Sequence, residues 1–302
     1  MVERPRFQLH VNGRDITLGE RTLVMGVLNV TPDSFSDGGL HLTPENAIRH
    51  GVELVQQGAD WVDVGGESTR PGSQGISEEE ELRRVLPVIR GLRQKLHSVP
   101  ISIDTTKPEV AGQALDAGAS VFNDVSGLRF DPRLAEVAFR YRVPLILMHL
   151  RGRPQSMQRE PFARDIWRSL QTGLETSLRR ALGAGVRRSQ IILDPGLGFG
   201  KSRRQNYEIL ASLERLQRFR LPILVGSSRK SFVQAIAAGE GLEPSRHKTA
   251  RGSATPKDFL PPIAGDAAAV VAAILGGAHI VRMHDPGAIL PAVRIADALL
   301  TA

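Results

Sequence analysis

Cysteine is absent from the chain, which excludes disulfides, thiol nucleophiles and cysteine-ligated metal sites. No apolar run reaches membrane-spanning length and the N-terminus lacks an apolar signal core. The chain is therefore expected to avoid membranes, to stay unexported and to work in the cytoplasm. Acidic residues are in short supply, 32 Asp plus Glu against 39 Lys plus Arg, and the isoelectric point is about 10.3. A basic balance invites nucleic acid as a partner. Yet the excess is spread along the chain, with no basic tail and no paired cysteine and histidine finger. The better reading is an arginine-rich solvated surface with a local preference for an anionic small molecule, and no nucleic-acid partner.

What recurs from end to end is a short apolar run closing on a polar residue. Leu23–Leu28 ends at Asn29, Trp61–Val64 leads to Gly65-Gly66-Glu67, Ile101–Ile103 ends at Asp104, and Ser120–Phe122 ends at Asn123. Leu145–Met148 ends at His149, Ile191–Leu193 at Asp194, Ile223–Val225 leads to Gly226-Ser227-Ser228, and Ile280–Met283 carries Arg282 and reaches His284. Buried parallel strands read as such continuous runs, and (β/α)8 barrels carry catalytic groups at the strands' C-terminal ends. The segments between have helical punctuation. Ser77 with Glu80 forms a capping box opening a helix to about Leu96, and Thr43-Pro44 and Asp131-Pro132 place a cap residue before proline. In 47–57, the spacing of Ile48, Val52 and Val55 predicts one buried stripe.

The fold expected is α/β, a single (β/α)8 TIM barrel over residues 1–302, a length near that of one such barrel with insertions. An open doubly wound sheet would more often stop at five to seven strands. Asn12-Gly13, between Phe7–Val11 and Ile16–Leu18, signals a hairpin. Residues 1–20 are expected to close the barrel bottom, away from the site. Residues 239–265 read as a long irregular insertion, rich in Pro, Lys and Arg.

The strand-end loops carry the chemistry. Residues 29–39, polar and glycine-ended, read as a mobile lid or as a plain long connection. Residues 65–73, glycine-flanked around Arg70, suggest a second part of a closing cover. Asp104, Asn123 and Asp194 would converge from three strand ends. Two acceptor carboxylates and an amide suit a flat heterocycle rich in N–H donors, although each alone could cap the following helix. Ser228, Arg229, Lys230 and Ser231 with Arg282 and His284 gather donors where barrels often bind phosphate, though Arg229 could simply form a surface ion pair. Gly196–Ser202 misses the phosphate-loop pattern at Pro195 and the dinucleotide pattern at Lys201. Its glycines instead suggest a backbone passing close to a ring at Asp194.

Residues 25–39 (Met-Gly-Val-Leu-Asn-Val-Thr-Pro-Asp-Ser-Phe-Ser-Asp-Gly-Gly) and 63–72 (Asp-Val-Gly-Gly-Glu-Ser-Thr-Arg-Pro-Gly) resemble the two signature loops of the dihydropteroate synthase family of pterin-binding enzymes. The likeness runs on through Ile103-Asp104-Thr105, Asn123-Asp124, Leu147-Met148-His149, Asp194-Pro195-Gly196, Ser228–Ser231 and Arg282–Asp285, covering nearly the whole chain in order. It implies condensation of 6-hydroxymethyl-7,8-dihydropterin diphosphate with 4-aminobenzoate, releasing pyrophosphate for folate synthesis. By the same likeness, Asp104, Asn123, Met148, Asp194, Lys230 and Arg282 would bind the pterin. Thr69, Arg70, Pro71, Phe199, Ser228 and Phe35 would frame the aminobenzoate, with Asp33 also on the lid. Asn29, Thr69, Arg70, Arg282 and His284 would hold the diphosphate, Asn29 would bind Mg2+, and Asp104, Lys230, Arg70 and His284 would carry catalysis.

The resemblance further implies an ordered reaction, a homodimer and a pocket that accepts sulfonamides, since Thr69-Arg70-Pro71-Gly72 has no insertion. Two departures stand out. Leu197 replaces a common phenylalanine, and Gly265-Asp266 replaces the usual glycine and hydroxyl residue at a helix start. A methyltetrahydrofolate methyltransferase or a catalytically silent relative are the alternatives. The first would not need Ser228-Arg229-Lys230 beside Arg282 and His284, and the second usually loses loop residues that are intact here.

Overall fold

The computed structural model describes residues 3–31, 43–70, 72–158, 162–243 and 262–302. Eight parallel strands, β3 (Leu23–Asn29), β4 (Trp61–Gly65), β5 (Ile101–Asp104), β6 (Val121–Asp124), β7 (Leu145–Met148), β8 (Ile191–Asp194), β9 (Leu224–Gly226) and β10 (Ile280–Met283), stand in the order β8-β7-β6-β5-β4-β3-β10-β9. Leu193 bridges Ile223, and its N–H donates to the Pro222 carbonyl at 2.9 Å. The two edges thus meet, and the sheet closes as a barrel instead of lying open. Helices α1 (Pro44–Gln56), α2 (Glu78–Leu96), α3 (Pro108–Asp116), α4 (Leu134–Tyr141), α5 (Ile166–Gly183), α6 (Arg203–Ala211), α7 (Ser231–Ala237), α8 (Pro262–Leu275) and α9 (Pro286–Thr301) follow the strands.

Local chemistry sets the helix starts, with three departures from expectation. The Thr43 hydroxyl accepts from the Asn46 N–H, and Ser77 Oγ from the Glu80 N–H at 3.2 Å. The Ser77 box is only half made, because the Glu80 carboxylate turns to Arg83 and Arg84. Asp131 accepts from the Arg133 N–H at 2.9 Å and shapes a turn, so α4 starts later than Pro132. The buried stripe of α1 is Ala47, Gly51 and Leu54, while Ile48, Val52 and Val55 flank it half-buried. A Cβ on Gly51 would sit 2.6 Å from a Leu92 methyl, so close packing against α2 selects the small residues for the contact line.

Below the barrel, β1 (Phe7–Val11) and β2 (Arg14–Leu18) form an antiparallel hairpin. Asn12 and Gly13 have φ of 53° and 73°, the left-handed pair that a tight hairpin requires. Leu9, Val11 and Leu18 pack with Leu23, Met25, Trp61, Val121, Ile146, Ile192, Leu224 and Ile280. These strand residues lie in the N-terminal halves of their strands, so the hairpin seals the bottom. Each such side chain contributes about 1.5–3 kcal/mol on full burial.

Of the insertion read at 239–265, positions 262–265 are helical, because α8 begins at Pro262; positions 244–261 lie outside the described residues. Among the described residues, no helix is long and apolar enough to cross a membrane.

Candidate active site

At the opposite end, the strand termini enclose a cavity of about 440 Å³. Asn29, Thr69, Arg70, Asp104, Asn123, Met148, Asp194, Phe199, Ser228, Lys230, Arg282 and His284 all line it, as does Leu197. The acidic floor and basic wall read from the sequence therefore share one space. Phe35, Asp33 and Pro71 lie outside the described residues, as does most of the first loop.

The floor turns on Asp63, to which the sequence assigned no role. Fully buried in the middle of β4, its Oδ2 accepts from Arg282 Nε at 2.6 Å and from Asn123 Nδ2 at 3.1 Å. The second Arg282 branch donates to Asp104 Oδ2 at 3.0 Å. Two consequences follow. The Asn123 amide is turned with its NH2 toward Asp63, leaving its carbonyl oxygen as an acceptor, and the Arg282 guanidinium is held between two carboxylates. A signal existed in the sequence: Asp63 and Arg282 are charges set inside otherwise apolar strands, and a buried charge needs a partner.

Burial pushes Asp104 well above the usual carboxylate range, to about 8, with the Asp63 charge adding to it and Arg282 opposing. Asp194 rises to about 6 for the same first reason, opposed by the Gly196 N–H that donates to its Oδ1 at 2.7 Å and by Lys230. Asp124, adjoining Asn123, also rises to about 6 through burial. Its carboxylate accepts from the Ser126 and Leu128 amides, so it shapes the loop after β6.

On the basic wall, the Lys230 ammonium lies 4.0 Å from the centre of the Phe199 ring. Burial and the neighbouring Arg282 pull its pKa down to about 8, while Asp194 and Asp104 oppose this. His284 falls further, to about 3, because it is buried and ringed by Arg282, Arg229, Lys230 and Arg70. It is thus a neutral ring among the wall's cations. Arg229 turns outward and pairs with Asp285 at 3.0 Å, both half-exposed. Asp266 is not a cap for its own helix. α8 starts four residues earlier, and the Asp266 carboxylate instead accepts from Ser228 Oγ at 3.0 Å and from the Arg229 N–H at 2.8 Å.

The glycines of 196–200 serve a close approach within the protein as well. All three, Gly196, Gly198 and Gly200, have positive φ. A Cβ on Gly196 or Gly200 would lie 2.2 Å from the carbonyl oxygen of His149 or Arg151, so the backbone is pressed against the loop after β7, while Gly196 and Gly198 also line the cavity beside Asp194. Lys201 is almost fully buried there, donating to the carbonyls of His149, Gly196 and Phe199 at 3.0, 2.7 and 3.1 Å. It is a structural tie that motif counting could not reveal.

Val125, Met148, Met157 and Phe199 give the cavity an apolar lining and pack with Leu150 in one cluster; Val125 and Met157 were not foreseen. The second loop is better anchored than a free cover would be. The Lys107 ammonium bridges Glu67 and the buried Glu81, Arg84 donates to the Gly66 carbonyl at 2.9 Å, and Ser73 Oγ donates to the Ser68 carbonyl at 2.6 Å. This tethering presents Thr69 and exposed Arg70 at the cavity mouth.

Residues 25–284 match the family described as pterin binding enzyme. A dihydropteroate synthase of Synechocystis sp. is 45% identical over 281 residues, 93% of this chain and 91% of that protein. The dihydropteroate synthase of Xanthomonas albilineans, solved with 4-aminobenzoic acid, superposes with a TM-score of 0.85 at 39% identity, covering 99% of this chain and 100% of that one. The Yersinia pestis enzyme in a sulfonamide drug complex superposes with a TM-score of 0.84 at 38% identity, covering 98% and 99%. The chain belongs to the pterin-binding enzyme family, among its dihydropteroate synthases.

Proposed function

We propose that the chain joins 6-hydroxymethyl-7,8-dihydropterin diphosphate to 4-aminobenzoate, giving 7,8-dihydropteroate and pyrophosphate. One observation carries this reading: an acceptor floor of Asp104, Asn123 and Asp194 and a basic wall of Lys230, Arg282 and His284 line a single cavity. A flat ring rich in N–H groups is complementary to the floor, and a polyanion to the wall.

In this reading the Asn123 carbonyl oxygen, fixed by Asp63, and the Asp194 carboxylate accept from the ring, with Met148 along its side. Lys230 donates to a ring acceptor, and Arg282 lies against the ring face. The exocyclic C–O bond breaks with its electron pair leaving on pyrophosphate, and ring nitrogen lone pairs stabilise the carbon cation. Asp104 favours that cation, whose charge draws its raised pKa back down. Arg70, Thr69 and His284 hold the departing anion. The aminobenzoate nitrogen, framed by Thr69, Arg70, Pro71, Phe199, Ser228 and Phe35, then forms the C–N bond and gives up a proton. Diphosphate binds first, and tight binding of aminobenzoate to enzyme lacking both pterin and pyrophosphate rejects that order. The pocket should take sulfonamides competitively with aminobenzoate.

For magnesium, the fit is partial in a telling way. Among the described residues no trio of His, Asp or Glu is placed to hold a metal, but the Asn29 amide oxygen stands on the cavity rim, 3.8 Å from where a Cβ on Gly65 would lie. Magnesium commonly takes one or two protein oxygens and completes its shell with phosphate oxygens and water, so Asn29 would hold it together with the diphosphate. Bound there, it would supply charge neutralisation for the leaving group. Family likeness also supports a homodimer and a cytoplasmic location. Sedimentation of a monomer at assay concentrations rejects the former.

The test is pyrophosphate release, with and without aminobenzoate and magnesium, by wild type and Asp104→Asn. Turnover should fall about 10²–10³-fold, the size expected for loss of one charge-stabilising group, with the melting transition kept. Retained turnover in the variant rejects the role of Asp104.

A further inference from the structure

Asp266 touches the catalytic wall without facing the cavity. Ser228 Oγ has a single proton, and it lies 3.0 Å from Asp266 Oδ2, 3.3 Å from the His284 backbone N–H and 3.3 Å from His284 Nδ1. The backbone N–H can only donate and an ionised carboxylate can only accept. A charge-assisted O–H···O bond at the shorter distance prevails over one to a neutral ring nitrogen, so the serine proton goes to Asp266. Ser228 is then an acceptor toward His284, and Nδ1 must carry the ring hydrogen. Because a neutral imidazole has one N–H, Nε2 is left as a bare lone pair.

We propose that Asp266, acting through Ser228, sets the tautomer of His284 and thereby makes diphosphate binding take up a proton at His284 Nε2. The lone pair of Nε2 and a phosphate oxygen repel each other, and a proton placed between them turns repulsion into a charge-assisted hydrogen bond. The groups around the ring explain why it waits for the anion. Arg282 on β10, Arg229 and Lys230 after β9 and Arg70 after β4 all disfavour the imidazolium, and Asp266 on α8 opposes them only through Ser228. A bound diphosphate offsets those cations and raises the His284 pKa. Asp266 is a positioning residue. The coupling rests on reading His284 as a diphosphate ligand, whereas the tautomer does not.

Two measurements on the full chain separate these claims. Nitrogen-15 NMR of the ligand-free enzyme at neutral pH should show His284 with its hydrogen on Nδ1. In Asp266→Asn, an amide N–H donates to Ser228 Oγ and frees the serine hydroxyl for Nδ1, so the hydrogen should move to Nε2; Asp266→Ser should move it the same way. Calorimetry of magnesium pyrophosphate binding in buffers of different ionisation enthalpy should show wild type taking up about one proton more than Asp266→Asn. An Nε2–H tautomer in wild type, or an unchanged tautomer in both variants, overturns the proposal. The stated tautomers with equal proton uptake overturn the coupling and the diphosphate role of His284 together, while leaving the relay intact.

Discussion

The two ends of this barrel are built from the same eight strands and obey opposite rules. At the bottom, Trp61, Met25, Ile146 and Ile192 meet Leu9, Val11 and Leu18 of the hairpin in an apolar plug. At the top, the same strands end on Asn29, Asp104, Asn123, Asp194 and Arg282 around a cavity, with carboxylate pKa values raised by burial. β4 spans both regimes within five residues, from Trp61 in the plug to Asp63 in the charge network. The lesson is a division of labour along each strand: apolar burial at one end stabilises the fold strongly enough to hold unfavourably buried charges at the other.

Four perturbations can break or sharpen that contrast. Trp61→Ala should be the most damaging, costing about 3–5 kcal/mol in a denaturation experiment, while kcat/KM per folded molecule stays near wild type. A matching loss of catalytic efficiency would erase the distinction between the ends. Next is Lys201→Met, which takes a charged donor from the carbonyls of His149, Gly196 and Phe199 at the active end. A loss of about 3 kcal/mol, accompanied by weaker pterin binding as the 196–199 wall loosens, would show that the top also carries stability. A stable variant with normal pterin affinity would count against the tie.

The third is pH. Asp194, raised to about 6, is charged only above that value, and Lys230, lowered to about 8, only below it. Asp194 and Lys230 are therefore charged together only between these limits, a range in which Asp104, raised to about 8, still holds its proton until the substrate arrives. Affinity for the pterin diphosphate, read by calorimetry, should rise through about 6 and fall through about 8, changing about tenfold per pH unit outside the window. Asp194→Asn should abolish the acid limb, and an acid limb that survives the substitution belongs to another group. Smallest is Gly13→Ala at the hairpin turn, where space is open but φ is 73°. Only backbone strain opposes it, so chemical denaturation should register about 1 kcal/mol, with turnover untouched.

Much of this was legible because it is local or periodic. Continuous apolar runs mark buried parallel strands, Asn12-Gly13 marks a hairpin, and the residue after each run marks a rim position. Prediction failed where a partner is remote. Asp63 and Arg282 are 219 positions apart, Lys201 finds its carbonyls across two loops, and Asp266 serves the loop after β9 instead of its own helix. In α1 the pattern identified the inward side but not its deepest line, because Gly51 and Ala47 yield no hydrophobic signal while the approach of Leu92 demands their smallness.

The order of residues by itself determined the barrel, its plugged lower end and the set of groups that reach the upper rim, since strand burial and turn geometry depend on near neighbours. Tertiary structure alone decided the electrical state of those groups. Whether Asp104 keeps a proton, which way the Asn123 amide faces and whether His284 is charged all depend on side chains brought within about 3 Å from distant positions, where low polarity makes a single charge or hydrogen bond decisive.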